Sequence, residues 1–154
     1  MKVLLFLMTL PLAAQTLTTV DEAGYQKLVS SQKGSVLVVD FWATWCKPCR
    51  AEMPQLVKLQ EKLKAKGVKM ITISADEPEA EGTAKKFLAD AGAMAVPAYI
   101  RRAKDENKFI NLIDPKWQGA LPALFIYDRT GRKVRAFIGE SSMADVEAAI
   151  QKLL

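Results

Sequence analysis

The sequence predicts an α/β fold: a mixed central β-sheet with helices on both faces. Three observations carry this. Two continuous apolar runs rich in β-branched residues, Val36–Phe41 and Val68–Ile73, read as buried strands. Each is followed by a helical pattern, and strands separated by helices pair in parallel. Two further runs, Ala123–Tyr127 and Lys133–Ile138, are joined by Asp128-Arg-Thr-Gly131, a hairpin signal that adds an antiparallel piece.

The elements follow in chain order. Residues 1–14, MKVLLFLMTLPLAA, have one early Lys, a short apolar run and then small residues. That is the pattern of a secretory signal peptide cleaved near Ala13/Ala14, and the run is too short to span a bilayer. The expected destination is periplasmic or otherwise extracytoplasmic, where two cysteines can sit as a disulfide. Residues 15–154 form one domain. Within Asp21–Ser31, Gly24, Tyr25, Leu28 and Val29 continue a helical spacing that starts at Val20, and Gly34 stops it. Lys47–Lys66 is a long amphipathic helix with Leu56, Leu59 and Leu63 on one face, Pro54 inside it and Gly67 at its end. Glu79–Ala91 reads as a helix with Phe87 and Leu88 inward. Ala95–Arg101 reads as a strand, and Asp105–Ile113 carries Phe109, Ile110, Leu112 and Ile113 at helical spacing before Pro115. Ser142–Leu154 is a last helix, with Ser142 and Asp145 as a capping pair.

Composition removes several kinds of chemistry. The chain has 154 residues, a net charge of +5 and no histidine. Without histidine there is no Ser-His-Asp or Cys-His nucleophile and no imidazole base. The two cysteines cannot form a four-cysteine zinc site. The basic residues are scattered, so no nucleic-acid partner is expected.

The two cysteines lie in Cys46-Lys47-Pro48-Cys49, between a strand and a helix. Cysteines at i and i+3 of a first helical turn lie on one side, at a separation a disulfide can bridge. The helix N-terminus offers unpaired N–H groups and a positive dipole end, which favour a thiolate, the reactive species of thiol–disulfide exchange. Cys46 is expected to be exposed and Cys49 shielded. Pro48 suits an early helical position, and Lys47 adds positive charge beside the thiolate. Asp40 lies in an apolar strand six residues before Cys46, so its carboxyl is expected to be buried with a raised pKa.

The run Val38-Val-Asp-Phe-Trp-Ala-Thr-Trp-Cys-Lys-Pro-Cys-Arg50 resembles the active-site segment of the thioredoxin superfamily. Pro54 matches the helix proline of that family, Leu121-Pro122 its cis-proline loop, and Gly139 a glycine beyond the next strand. The apolar leader, Ala-Thr-Trp-Cys and the longer middle resemble its extracytoplasmic TlpA/ResA-like branch. The resemblance implies a thioredoxin-like fold and a thiol:disulfide oxidoreductase with Cys46, Cys49 and Asp40 as catalytic residues. It implies a substrate-docking surface of Trp45, Leu121 and Pro122, with Pro122 also keeping metal off the thiolates. It implies no cofactor, protein disulfide substrates, a membrane electron donor of CcdA/DsbD type, and cytochrome c apoproteins as typical substrates. A monomer is expected. The family's lysine that pairs with the aspartate is absent, and Thr72 holds its place. Segment 78–118 is variable in the family and reads equally as a substrate-selecting insertion or a packing cover.

Three other functions compete. A protein thiol oxidase shares every residue named. A thiol peroxidase resembles Pro-x-x-x-Thr-x-x-Cys, and Thr44 is one residue too close to Cys46. A metal-binding module of copper-chaperone type resembles Cys-x-x-x-Cys with a distant His, and this chain has neither.

Overall fold

The computed structural model describes residues 17–154, so the leader at 1–14 lies outside the described residues. The elements are β1 (Thr18–Val20), α1 (Glu22–Ser30), β2 (Val36–Trp42), α2 (Lys47–Leu63), β3 (Val68–Ser74), α3 (Glu81–Asp90), β4 (Ala98–Arg101), α4 (Glu106–Ile113), β5 (Ala123–Tyr127), β6 (Lys133–Ile138) and α5 (Met143–Gln151). They build one six-stranded sheet in the order β1-β4-β3-β2-β5-β6. The pairs β1–β4, β4–β3 and β3–β2 are parallel, and β2–β5 and β5–β6 are antiparallel. The sheet is mixed, as the strand–helix alternation and the terminal hairpin together predict.

Strand side chains alternate between faces, and this sorts the core into two layers. On one face Val36, Val38 and Trp42 of β2 join Val68 and Met70 of β3 and Leu124 and Ile126 of β5. They pack with Met53, Leu56, Leu59 and Leu63 of α2, Leu88 of α3, and Val146 and Ile150 of α5. On the other face Leu37, Val39 and Phe41 pack with Tyr25 and Val29 of α1, Phe109 and Ile113 of α4, Trp117 and Phe125. The second layer is aromatic: Phe41 lies 4.9 Å from Trp117 and 5.8 Å from Phe125, centroid to centroid. At its far end the buried Tyr25 and Tyr127 hydroxyls share a 2.6 Å hydrogen bond, which satisfies both polar tips.

The structure departs from the sequence reading in five places. Val20 belongs to β1, a three-residue edge strand, and α1 starts after it under an Asp21 cap that accepts from the Gly24 N–H at 2.8 Å. Three residues give too little alternation to mark a strand. The helix expected at Glu79–Ala91 begins as a 3₁₀ turn at Pro78–Ala80, and Lys64–Lys66 is likewise a 3₁₀ turn closing α2. Ser142 precedes α5, but its side chain makes no capping bond; its carbonyl accepts from the Asp145 and Val146 N–H groups instead. Leu112 of α4 is exposed while Phe109 and Ile113 are buried, because only one stripe of a two-turn helix meets the sheet.

The segment between α3 and β5 is built into the body of the fold. β4 pairs with both β1 and β3, and α4 covers the aromatic layer.

Candidate active site

The parallel strands end on one side of the sheet, and the cysteine pair sits there, outside the end of β2. Cys46 is the N-cap of α2, with extended backbone at φ −82° and ψ 101°, and its Sγ accepts from the Cys49 N–H at 3.3 Å. Pro48 occupies the first turn, where its missing N–H leaves no partner wanting. Cys46 and Cys49 form a disulfide with a Cα–Cα distance of 5.3 Å.

Cys46 is 5% exposed and Cys49 2%, which corrects the expectation of an exposed Cys46. In the disulfide form both cysteines join the core layer beneath α2. The exposed parts of the site are its neighbours: Trp45 is 70% exposed and Lys47 is also exposed. Trp42, by contrast, is fully buried and stacked on Phe87 at 4.4 Å. At the same end of the sheet, just before Ala123 pairs with Phe41, the Leu121–Pro122 peptide bond is cis. The Pro122 carbonyl accepts from the Gly139 N–H at 2.8 Å. Gly139 adopts φ +84°, a left-handed conformation suited to glycine.

Asp40 shares the register position of Thr72 on the neighbouring strand. Its side chain lies on the α2 face of the sheet and is 2% exposed. The Thr72 hydroxyl donates to its Oδ2 at 3.3 Å. Burial lifts the Asp40 carboxyl to about 8, the nearby Glu52 adds to the rise, and the Thr72 bond opposes it.

Glu52 was missed in the sequence reading. It lies on α2, three residues after Cys49, and is only 5% exposed. Burial raises its pKa to about 7, and the charge of Glu140 contributes. Its Oε1 is buried with no hydrogen-bond partner among the described residues. A signal was available: Cys49, Glu52, Met53, Leu56, Leu59 and Leu63 follow the 3.6-residue spacing of the buried face. Two buried carboxyl groups therefore flank the disulfide in sequence, Asp40 in the strand before it and Glu52 one helical turn after Cys49, with pKa values raised to about 8 and about 7.

Around Thr44 the arrangement differs from the one a thiol peroxidase would use. A peroxidase site needs a Thr hydroxyl and an Arg guanidinium free to face the reacting thiolate. Here the Thr44 hydroxyl donates to Asp76 Oδ1 at 2.7 Å and Arg50 donates to the Thr44 carbonyl. Among the described residues no group of three or more His, Cys, Asp or Glu side chains is placed to hold a metal ion.

Fold and site together define a thioredoxin-like thiol:disulfide oxidoreductase. The sequence matches the AhpC/TSA family over residues 11–136, and the chain belongs to that family. It is 33% identical over 140 residues to a thiol-disulfide oxidoreductase ResA of Bacillus cereus, covering 91% of this chain and 76% of that protein. Among solved structures it is similar to a thioredoxin-family thiol:disulfide interchange protein from Chlorobium tepidum TLS. That match has a TM-score of 0.65 and 25% identity, over 80% of this chain and 82% of that one. A DsbF homologue from Corynebacterium diphtheriae shares the fold with a TM-score of 0.68 at 21% identity, over 81% of this chain and 76% of that one.

Proposed function

We propose that the protein is an extracytoplasmic reductase of protein disulfides that is itself re-reduced by a membrane electron donor. The observation that carries the reading is the Cys46–Cys49 disulfide at the start of α2, with Asp40 buried in the strand that leads to it. In the reaction, the Cys46 thiolate bonds to one sulfur of a substrate disulfide and expels the other. Cys49 then loses its proton to Asp40, bonds to the Cys46 sulfur and releases the substrate as a dithiol. A carboxyl that titrates at about 8 is matched to taking a thiol proton near neutrality. Glu52 joins this relay as a second proton-holding group, its carboxyl at about 7.

Trp45 supplies an exposed apolar surface for a substrate segment, and Leu121 and Pro122 present backbone for an extended chain to pair with. Lys47 favours an anionic sulfur on Cys46, and Pro48 fixes the turn between the cysteines. The leader-like residues 1–14 support an extracytoplasmic location. The chain carries no GxGxxG-type dinucleotide fingerprint, and the protein takes its electrons from a partner. The family resemblance points to a donor of CcdA/DsbD type and to cytochrome c apoproteins among the substrates.

The test is the reduction potential of the Cys46–Cys49 couple, with capture of partners on a Cys49→Ser variant. A reductase should lie well below the roughly −120 mV of a strong oxidant. The variant should accumulate a mixed disulfide on Cys46 with substrate or donor. A potential near the strong-oxidant value, with captured proteins that are dithiols awaiting oxidation, would replace the reductase with a thiol oxidase.

A further inference from the structure

A second polar cluster stands at the same end of the sheet, and the reaction above does not use it. It is built on Thr44, in the loop between β2 and α2. The Thr44 N–H donates to Asp76 Oδ2 at 2.9 Å, and its hydroxyl donates to Asp76 Oδ1 at 2.7 Å. Its carbonyl accepts from Arg50 Nε at 3.2 Å and from Arg50 Nη2 at 2.8 Å. Asp76 is 4% exposed and is held in turn by Ser74, whose hydroxyl donates to Oδ2 at 2.6 Å and accepts from the Asp76 N–H at 3.0 Å. Every polar group of Thr44 is thus bonded to the protein. Thr44 is only partly buried, so solvent could have satisfied some of these groups without such a network.

The placement of the ties gives them meaning. Thr44 is two residues before Cys46, and Arg50 is one residue after Cys49. The Arg50–Thr44 fork therefore closes a ring around the cysteine segment that does not pass through the sulfurs. Asp76 fastens the same ring to the end of β3. There the Ala75 N–H also donates to the Trp42 carbonyl at 2.7 Å, joining the ends of β2 and β3.

We propose that Asp76, Thr44 and Arg50 are positioning residues that hold Cys46 and Cys49 at disulfide-forming separation when the disulfide is open, shifting the dithiol–disulfide equilibrium toward the disulfide. The inference rests on the reductase reading: a chain whose own disulfide forms more readily is a stronger reductant of its substrate. Two electrons pass from the dithiol to the substrate disulfide, and the two cysteine protons end on the two substrate thiols. The closing displacement, Cys49 on the Cys46 sulfur, is intramolecular, and a held geometry raises its effective concentration. The coupling is reciprocal. If the ties form better around the disulfide than around the open dithiol, they strengthen the disulfide by the factor with which it strengthens them. A purely architectural cluster supports both redox states equally and leaves the equilibrium where it was.

The experiment equilibrates the full chain in dithiothreitol redox buffers and reads the dithiol fraction by alkylation. Two variants keep the net charge: Thr44→Val removes the hydroxyl bond, and Arg50→Lys removes the fork. Each should move the equilibrium constant about fivefold toward the dithiol, the factor that one hydrogen bond of ordinary strength is worth, equivalent to about 20 mV. Each should slow mixed-disulfide resolution in the same sense, and Thr44→Ser should restore the wild-type equilibrium. Arg50 is exposed, so Arg50→Lys keeps the test available if Thr44→Val does not fold. Equilibrium constants within twofold of wild type for the folded variants would overturn the proposal, as would a Thr44→Ser shift as large as that of Thr44→Val. An oxidant-like wild-type potential with the variants still displaced would instead overturn the reductase reading and support the positioning role.

Discussion

Asp40 and Asp76 stand on or just beyond neighbouring strands, near the active-site end of one sheet, and are almost equally hidden at 2% and 4% exposure. Their surroundings differ. Asp40 accepts one long bond, 3.3 Å from Thr72, and faces a second buried carboxyl group on α2. Asp76 accepts from the Thr44 N–H, the Thr44 hydroxyl and the Ser74 hydroxyl, all at 2.9 Å or less. A carboxyl group with few donors and a like-charged neighbour is suited to binding and releasing a proton. One whose oxygens are both occupied by short bonds is suited to holding a loop still. Burial alone does not separate the two jobs; the count of donors does.

The contrast makes opposite demands on stability, and the largest effect belongs to Asp40. Its folded pKa, about 8, lies above its ordinary 3.8. The native protein therefore binds more protons than the unfolded chain between those values. The stability this group contributes is fully present below about pH 4 and is lost as pH rises through 8; Glu52, raised to about 7, acts in the same sense. Denaturant titrations of the oxidised protein should show stability falling from pH 4 to 8. Asp40→Asn should remove much of that fall and stabilise the protein at pH 8 by on the order of a few kcal/mol. A pH-independent stability, or an Asn variant less stable at pH 8, would place a solvated carboxylate at Asp40.

Asp76→Asn should have the opposite sign. An amide nitrogen cannot accept, so at least one Thr44 or Ser74 donor loses its partner. The expected cost is about 1–3 kcal/mol, read in the same titrations. An Asn variant as stable as wild type would mean that the three bonds are replaceable by solvent, and the contrast between the two aspartates would fail.

The smallest effect is expected from Glu52→Gln. Glu52 is one cause of the raised Asp40 pKa, so removing its charge should lower the Asp40 midpoint. Direct titration of the Asp40 carboxyl by NMR would check this. An unmoved midpoint would mean that burial alone sets it.

How legible these residues were follows from the same physics. Asp40 announced itself, because one polar residue inside Val36–Phe41 breaks an otherwise apolar strand. The active-site run around Cys46 and the hairpin at Asp128–Gly131 were legible for a similar reason, since each is a local pattern with a local cause. Glu52 was not read, because glutamate on an amphipathic helix is ordinary and only its phase relative to Leu56 and Leu63 betrays burial. Asp76 lies in Ser-Ala-Asp-Glu-Pro, which reads as a loop, and its partner Thr44 is 32 residues away. β1 was invisible for want of length, and its pairing with β4 depends on a contact between segments far apart in the chain. What depended on contacts between distant segments could not be read from local spacing.

The central claim is that Asp40 takes the proton of Cys49 when the mixed disulfide is resolved, and one kinetic measurement bears on it most directly. Wild-type and Asp40→Asn proteins are reduced and mixed with a disulfide substrate that carries a fluorescent leaving group at each sulfur. Formation and resolution of the mixed disulfide are then followed separately across pH 5 to 9 by stopped flow. Loss of a positioned base should slow resolution by about 10²-fold, erase the pH dependence centred near 8, and leave formation by Cys46 nearly unchanged. Equal resolution rates for the two proteins, with the same pH profile, would contradict the assignment and move the proton to another group.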